Sequence, residues 1–162
     1  MKLSTITLEQ LSSLTHEVKL PEERSRSPFF KVISYHGEYR YGSGGNADAR
    51  YIVATATAAH EAWFTEGIVI DFSDLKYEWG DEMEWVLGIA QGGPTGCSFP
   101  LVIIVGAKCK PAIQTLIPDE YADFCVESLD DALLLLEQKR RAYRQCLAEW
   151  RPRTVKPEAK QP

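Results

Sequence analysis

The chain of 162 residues has no apolar run long enough to cross a membrane. Its longest, residues 101–106 and 133–136, fall far short of the ~18 residues a span needs. Its first nineteen residues have no basic start followed by an apolar block, so no export signal is expected. Positive charge is not in excess either: 18 basic against 23 acidic residues leave a net charge of −5. That balance excludes a general nucleic-acid binder. Cysteine is sparse and scattered, at Cys97, Cys109, Cys125 and Cys146. With no CxxC pair, and no close histidine partner at His16, His36 or His60, no zinc site is expected. Reduced cysteines in a cytoplasmic protein are the reading that follows, with Cys125 as a core residue. No cofactor motif is complete. The glycine-rich segment at 42–45 runs into Asn46-Ala47 where a P-loop needs Lys-Ser/Thr, and GxGxxG and GxSxG are missing. His60-Glu61 meets Phe64 where a zinc protease needs its second histidine.

What is present suits one α/β domain: 44% hydrophobic and 25% charged residues are ordinary for a globular fold. Thr7 and Gln10 form a capping box for a small N-terminal helix, and the polar stretch PEERSRSP at 21–28 reads as a linker. Residues 1–28 are therefore set apart from a domain at 29–150, with a polar tail at 151–162. Within the domain, FFKVISY at 29–35 and Tyr39-Arg40-Tyr41 read as a hairpin. A long helix runs from Asn46 or Asp48 to about Thr65, with Ile52, Ala56, Ala59 and Trp63 at helical spacing. GIVIDF at 67–72 and LVIIV at 101–105 are continuous apolar runs, the mark of central strands covered on both faces. Helices are expected at about 81–91, at 111–117 after Pro111, and from Ser128 to Trp150, with an edge strand at 121–126. The alternation predicts a mixed β-sheet packed by helices.

Chemistry concentrates just after the first central strand. Asp71, Asp74, Glu78, Asp81, Glu82 and Glu84 gather there against Lys76 alone, with Trp79 and Gly80 on the turn. In an α/β sheet, ligands bind beyond the carboxyl ends of the strands. Paired carboxylates could serve acid–base work, but Asp71 and Asp74 are spaced DxxD, not the DxD of a phosphatase-like site. A tryptophan among acids is alternatively a lid on the core or an anchor for a protein partner. The basic stretch Lys139, Arg140, Arg141, Arg144, Arg151, Arg153 and Lys156 reads as a solvated face that could also seat an acidic partner.

Val69-Ile-Asp-Phe-Ser73, Val102-Ile-Ile-Val-Gly106 and Ser128-Leu-Asp-Asp-Ala-Leu133 resemble the three signatures of the STAS domain. That is the fold of bacterial anti-sigma-factor antagonists and sulfate-transporter tails. The resemblance spans residues 29–137 and implies a regulatory, protein-binding fold. Its phosphoacceptor serine falls on Gly80, which has no hydroxyl; Asp81 and Glu82 supply permanent charge instead. Residues 68–83 are also similar to a crotonase segment, with Tyr77, Gly80, Glu82 and Met83 in matching places. That second resemblance implies a backbone oxyanion hole for acyl-CoA thioesters, although crotonase cores are much longer than this chain.

The expectation is thus a STAS-like α/β domain with an extra N-terminal helix and a long C-terminal helix. It binds a protein with a basic surface through Glu78, Trp79, Gly80, Asp81 and Glu82, without metal or cofactor. An immunity protein that neutralises a bacterial toxin is the alternative. A small crotonase-like or hydrolytic enzyme using Asp71, Glu78 and Asp81 is the third.

Overall fold

The two apolar runs become neighbouring parallel strands, β3 (Ile68–Phe72) and β5 (Leu101–Val105), paired from Ile68↔Leu101 to Phe72↔Val105. Side chains alternate between two layers because successive residues of a strand face opposite ways. Ile68, Ile70, Phe72, Leu101, Ile103 and Val105 enter the larger core, while Val69, Val102 and Ile104 enter the smaller one. Both strands are almost wholly buried, as continuous apolar sequence requires.

The molecule is described here as a computed structural model, which covers residues 1–22, 29–80, 82–89 and 95–150. Most of the expected linker, the tail at 151–162, Asp81 and the Gly92-Gly93-Pro94 stop lie outside the described residues. The other elements are β1 (Thr15–Lys19), β2 (Lys31–Glu38), α1 (Asn46–Ala62), β4 (Leu75–Lys76) and α2 (Trp85–Gly88), followed by α3 (Lys110–Leu116), α4 (Tyr121–Phe124), β6 (Cys125–Val126) and α5 (Leu129–Glu149). The sheet runs β1-β2-β3-β5-β6, with β4 beside the end of β2. Among the described residues, only β1 is antiparallel to its neighbour. Helix α1 covers the larger core with Ala49, Ile52, Ala56 and Ala59; α5 covers the opposite face with Ala132 and Leu136. Ser128 caps α5 by accepting the Asp131 N–H at 3.1 Å. This is the mixed sheet with packed helices that the sequence predicts.

Four expectations are corrected. The N-terminal helix is a single 3-10 turn, Leu8–Gln10, and Thr15–Lys19 then forms an edge strand within the stretch read as helix and linker. That strand half-buries only His16 and Val18, so it carries no apolar run. Tyr39-Arg40-Tyr41 is not a strand. The Tyr39 ring is turned inward and Arg40 is committed to Asp48, so the chain past Gly37 pairs β4 in parallel instead. Residues 121–126 divide into a short helix and a two-residue strand. The fourth correction is chemical: Cys97 and Cys146 form a disulfide, leaving only Cys109 and Cys125 free and buried. Their separation of 49 residues hides the pairing in sequence. It arises because the segment ahead of β5 meets the last turns of α5.

Two buried charges tie the layers together. Lys31 in β2 is fully buried and donates to the carbonyls of Ala59 (2.8 Å), His60 (3.2 Å) and Trp63 at the end of α1. A cation there complements the helix dipole. Burial pushes the Lys31 amine down to about 8, against a smaller upward pull from Glu61. Asp48, in the first turn of α1, accepts from the Arg40 amide (2.8 Å), the Arg40 guanidinium (2.7 and 2.9 Å) and Ser12 (2.5 Å). Burial alone would raise its carboxyl; these donors together hold it below the usual range.

Candidate functional site

The loop that follows β4 stands at the carboxyl end of the parallel strands and is held by its backbone. The Tyr77 N–H donates to Lys108 O (3.2 Å), the Tyr77 hydroxyl to Gly80 O (3.3 Å), and the Gly42 N–H to Trp79 O (3.1 Å). Gly80 is buried against Tyr39. A side chain there would fall within 2.9 Å of Tyr39 Cζ, so position 80 has no room for one. The same ring fills the space over Gly45 and meets Tyr77 edge-to-face at 5.0 Å. Tyr39 is thus the post around which the two loops are fastened. Its inward turn was not legible from Tyr39-Arg40-Tyr41 alone.

Trp79 is 46% exposed beside that rigid backbone. Tyr41, at 74%, precedes the glycine bonded to Trp79, and Trp85, at 46%, lies on the next element. The lid reading of Trp79 does not fit a ring so open. The site's charges are largely paired. Lys76 binds Glu38 at 2.7 Å and Glu78 at 3.4 Å, leaving one excess negative charge on the trio. Arg50 of α1 holds Glu82 through two bonds, 3.0 and 3.1 Å, and lies 5.9 Å from the Trp85 ring centre. Glu84 is exposed. Asp81 is outside the described residues. Sequence reasoning missed Arg50 and Glu38, because both come from distant segments that only the fold brings in.

Asp71 turns out to build the turn. It accepts from the Ser73 amide (2.9 Å), the Ser73 hydroxyl (2.6 Å) and Ser34 (3.2 Å). Asp74 faces His36 at 3.4 Å. Hollows beside the loop include one of about 240 Å³ between Tyr39, Tyr41, Lys76 and Glu78, and an open one of about 330 Å³ between Tyr77, Glu78, Lys108 and Pro111. These stand at or below the lower end of the ~300–1,000 Å³ usual for ligand pockets. Among the described residues, no group of three or more His, Cys, Asp or Glu is placed to hold a metal, and no helix is long and apolar enough to cross a membrane.

The arginines of the basic stretch in α5 are paired within the fold, three sharing the two carboxylates of Glu66 and Glu137. Arg140 is buried between Glu66 (2.6 Å) and Glu137 (2.7 Å), Arg144 also pairs with Glu66, and Arg141 binds Glu137 (3.1 Å). Arg151, Arg153 and Lys156 lie outside the described residues.

Compared with known proteins, the chain matches no family model and no curated sequence. Among solved structures it is similar to an anti-sigma factor antagonist from Mycobacterium paratuberculosis. The two are 20% identical over 77% of this chain and 95% of that one, with a TM-score of 0.49. A likeness of that size bears on neither partner nor activity.

Proposed function

We propose that the chain is a non-catalytic, STAS-type regulatory module that binds another protein through the loop carrying Glu78, Trp79, Gly80, Asp81 and Glu82. The observation that carries this reading is Trp79: a large, half-exposed ring on a backbone pinned from both sides. A pre-ordered aromatic loses little freedom on binding, which is why tryptophan is over-represented among interface hot spots. The excess carboxylate beside Lys76 and the exposed Glu84 suit a basic partner surface and steer its approach. Asp71 is occupied in its turn, which weighs against the hydrolytic alternative.

The test compares the wild-type chain with Trp79→Ala as baits in lysate of the native cell, with captured proteins quantified by mass spectrometry. A partner retained by the wild type should be lost from the variant. With that partner purified, affinity should fall by about 2 kcal/mol, roughly 30-fold, chiefly through faster dissociation. The melting temperature should stay within about 2 °C of wild type, since an exposed ring contributes little to the core. Unchanged affinity removes this loop as the interface. A captured kinase or sigma factor supports the regulatory reading; a captured toxin supports the immunity reading.

A further inference from the structure

At the other end of the sheet from Trp79, a groove of about 400 Å³ opens between the segment ahead of β5 and the later turns of α5. Phe99, Tyr143, Lys139 and both members of the Cys97–Cys146 disulfide line it. The first half of α5 is anchored by Ala132, Leu136 and Arg140, all buried against the fold. Beyond Arg140 the helix is mostly exposed. Among the described residues, that stretch is held by the edge-to-face packing of Tyr143 on Phe99 (5.7 Å), the Arg144–Glu66 pair and the disulfide. The covalent bond therefore holds a segment with few other ties, and it stands in a groove that solvent reaches.

We propose that Cys97–Cys146 is an exchangeable disulfide that latches the end of α5 and is opened by a dithiol reductant while the domain stays folded. A thiolate of the reductant attacks Sγ of the half-buried Cys146. The S–S bond breaks and Cys97 leaves as a thiolate, which takes up a proton. The second thiolate of the reductant then attacks the mixed disulfide. It releases Cys146 and leaves the reductant oxidised, so two electrons and two protons end on the cysteine pair. Lys139 lines the same groove, with its ammonium 4.0 Å from the centre of the Phe124 ring. Cys109 and Cys125 do not compete. Both are enclosed in the core, where burial pushes their thiols up to about 11 and about 12. With the bond open, the α5 end keeps only its aromatic and ionic ties, and Phe99 becomes accessible from the widened groove.

Native protein prepared in air is treated with dithiothreitol, followed by mass measurement and amide hydrogen exchange, with no partner required. The untreated protein should carry one disulfide. Native reduction should add about 2 Da, the two protons of the balanced step. Exchange over residues 143–149 should then accelerate at least ~10-fold while β3 and β5 amides keep their protection. The double variant Cys97→Ser/Cys146→Ser should exchange like the reduced protein and ignore the reductant. The proposal is overturned if four free thiols are found in air, or if reduction requires denaturant. It also falls if the α5 end is unaffected, or if β3 and β5 lose protection with it, which would make the bond a global staple.

Discussion

The ring of Tyr39 occupies the space that a side chain at Gly80 would need, with Cζ 2.9 Å from the ideal Cβ position. The glycine at position 80 is therefore a steric requirement of this loop. Gly80→Ser should not create a switch. It should displace Tyr39 from its packing between Gly45 and Tyr77 and cost about 1–3 kcal/mol, the usual penalty of overpacking. Urea unfolding measures this, and a variant as stable as wild type would show that the ring yields freely.

Acid should act through Asp48. Its carboxyl is held below the ordinary value of 3.8, so between the two values the unfolded chain binds the proton and the folded one does not. The stabilisation is complete above about pH 4 and is lost as pH falls through the depressed value. Asp48→Asn should cost about 2 kcal/mol at neutral pH, less than for a fully enclosed pair because Arg40 is half-exposed. It should also flatten the acid limb of a stability-against-pH curve; a limb with unchanged slope would assign acid sensitivity to other carboxylates.

Ile70→Asp tests the centre of the fold. Ile70 is fully buried between β2 and β5, so the carboxylate would have no partner. A loss of about 4 kcal/mol or more is expected. Thermal melting within a degree or two of wild type would contradict the burial described here.

The loop carboxylates should divide by role. Glu78→Gln removes the excess charge of the Glu38–Lys76–Glu78 trio and Glu84→Gln an exposed carboxylate, so both should slow association with a basic partner and weaken its salt dependence. Glu82→Gln breaks the Arg50 pair instead, and should cost under about 1 kcal/mol of stability because Arg50 is exposed. Stopped-flow association at two ionic strengths separates these effects; equal rates for all variants would exclude steering by the loop.

The parts of the fold that were legible are those where one residue's surroundings depend on its sequence neighbours. Leu101–Val105 is buried on both faces and apolar throughout, and Ile68–Phe72 is so apart from Asp71. Leu129–Glu149 announces itself through Ser128 and its acidic first turn. Thr15–Lys19 was hidden because an edge strand can be polar and still pair. The candidate site divides the same way. Trp79 and its acids are contiguous and could be read, whereas Arg50, Glu38 and Tyr39 reach the loop only through tertiary packing. The Cys97–Cys146 bond depends on how far α5 extends past the sheet, which no spacing rule encodes.

Lys31 has a consequence for strand alignment. Its ammonium can meet the α1 carbonyls only from the sheet face that also carries Ile33 and Tyr35. Sliding β2 by one residue along β3 would turn the amine toward α5, where the apolar layer of Val69, Val102 and Leu136 offers it nothing. It would also leave the carbonyls of Ala59, His60 and Trp63 without their donor. A single buried cation in this strand thus penalises every odd-numbered misalignment from both sides of the sheet at once.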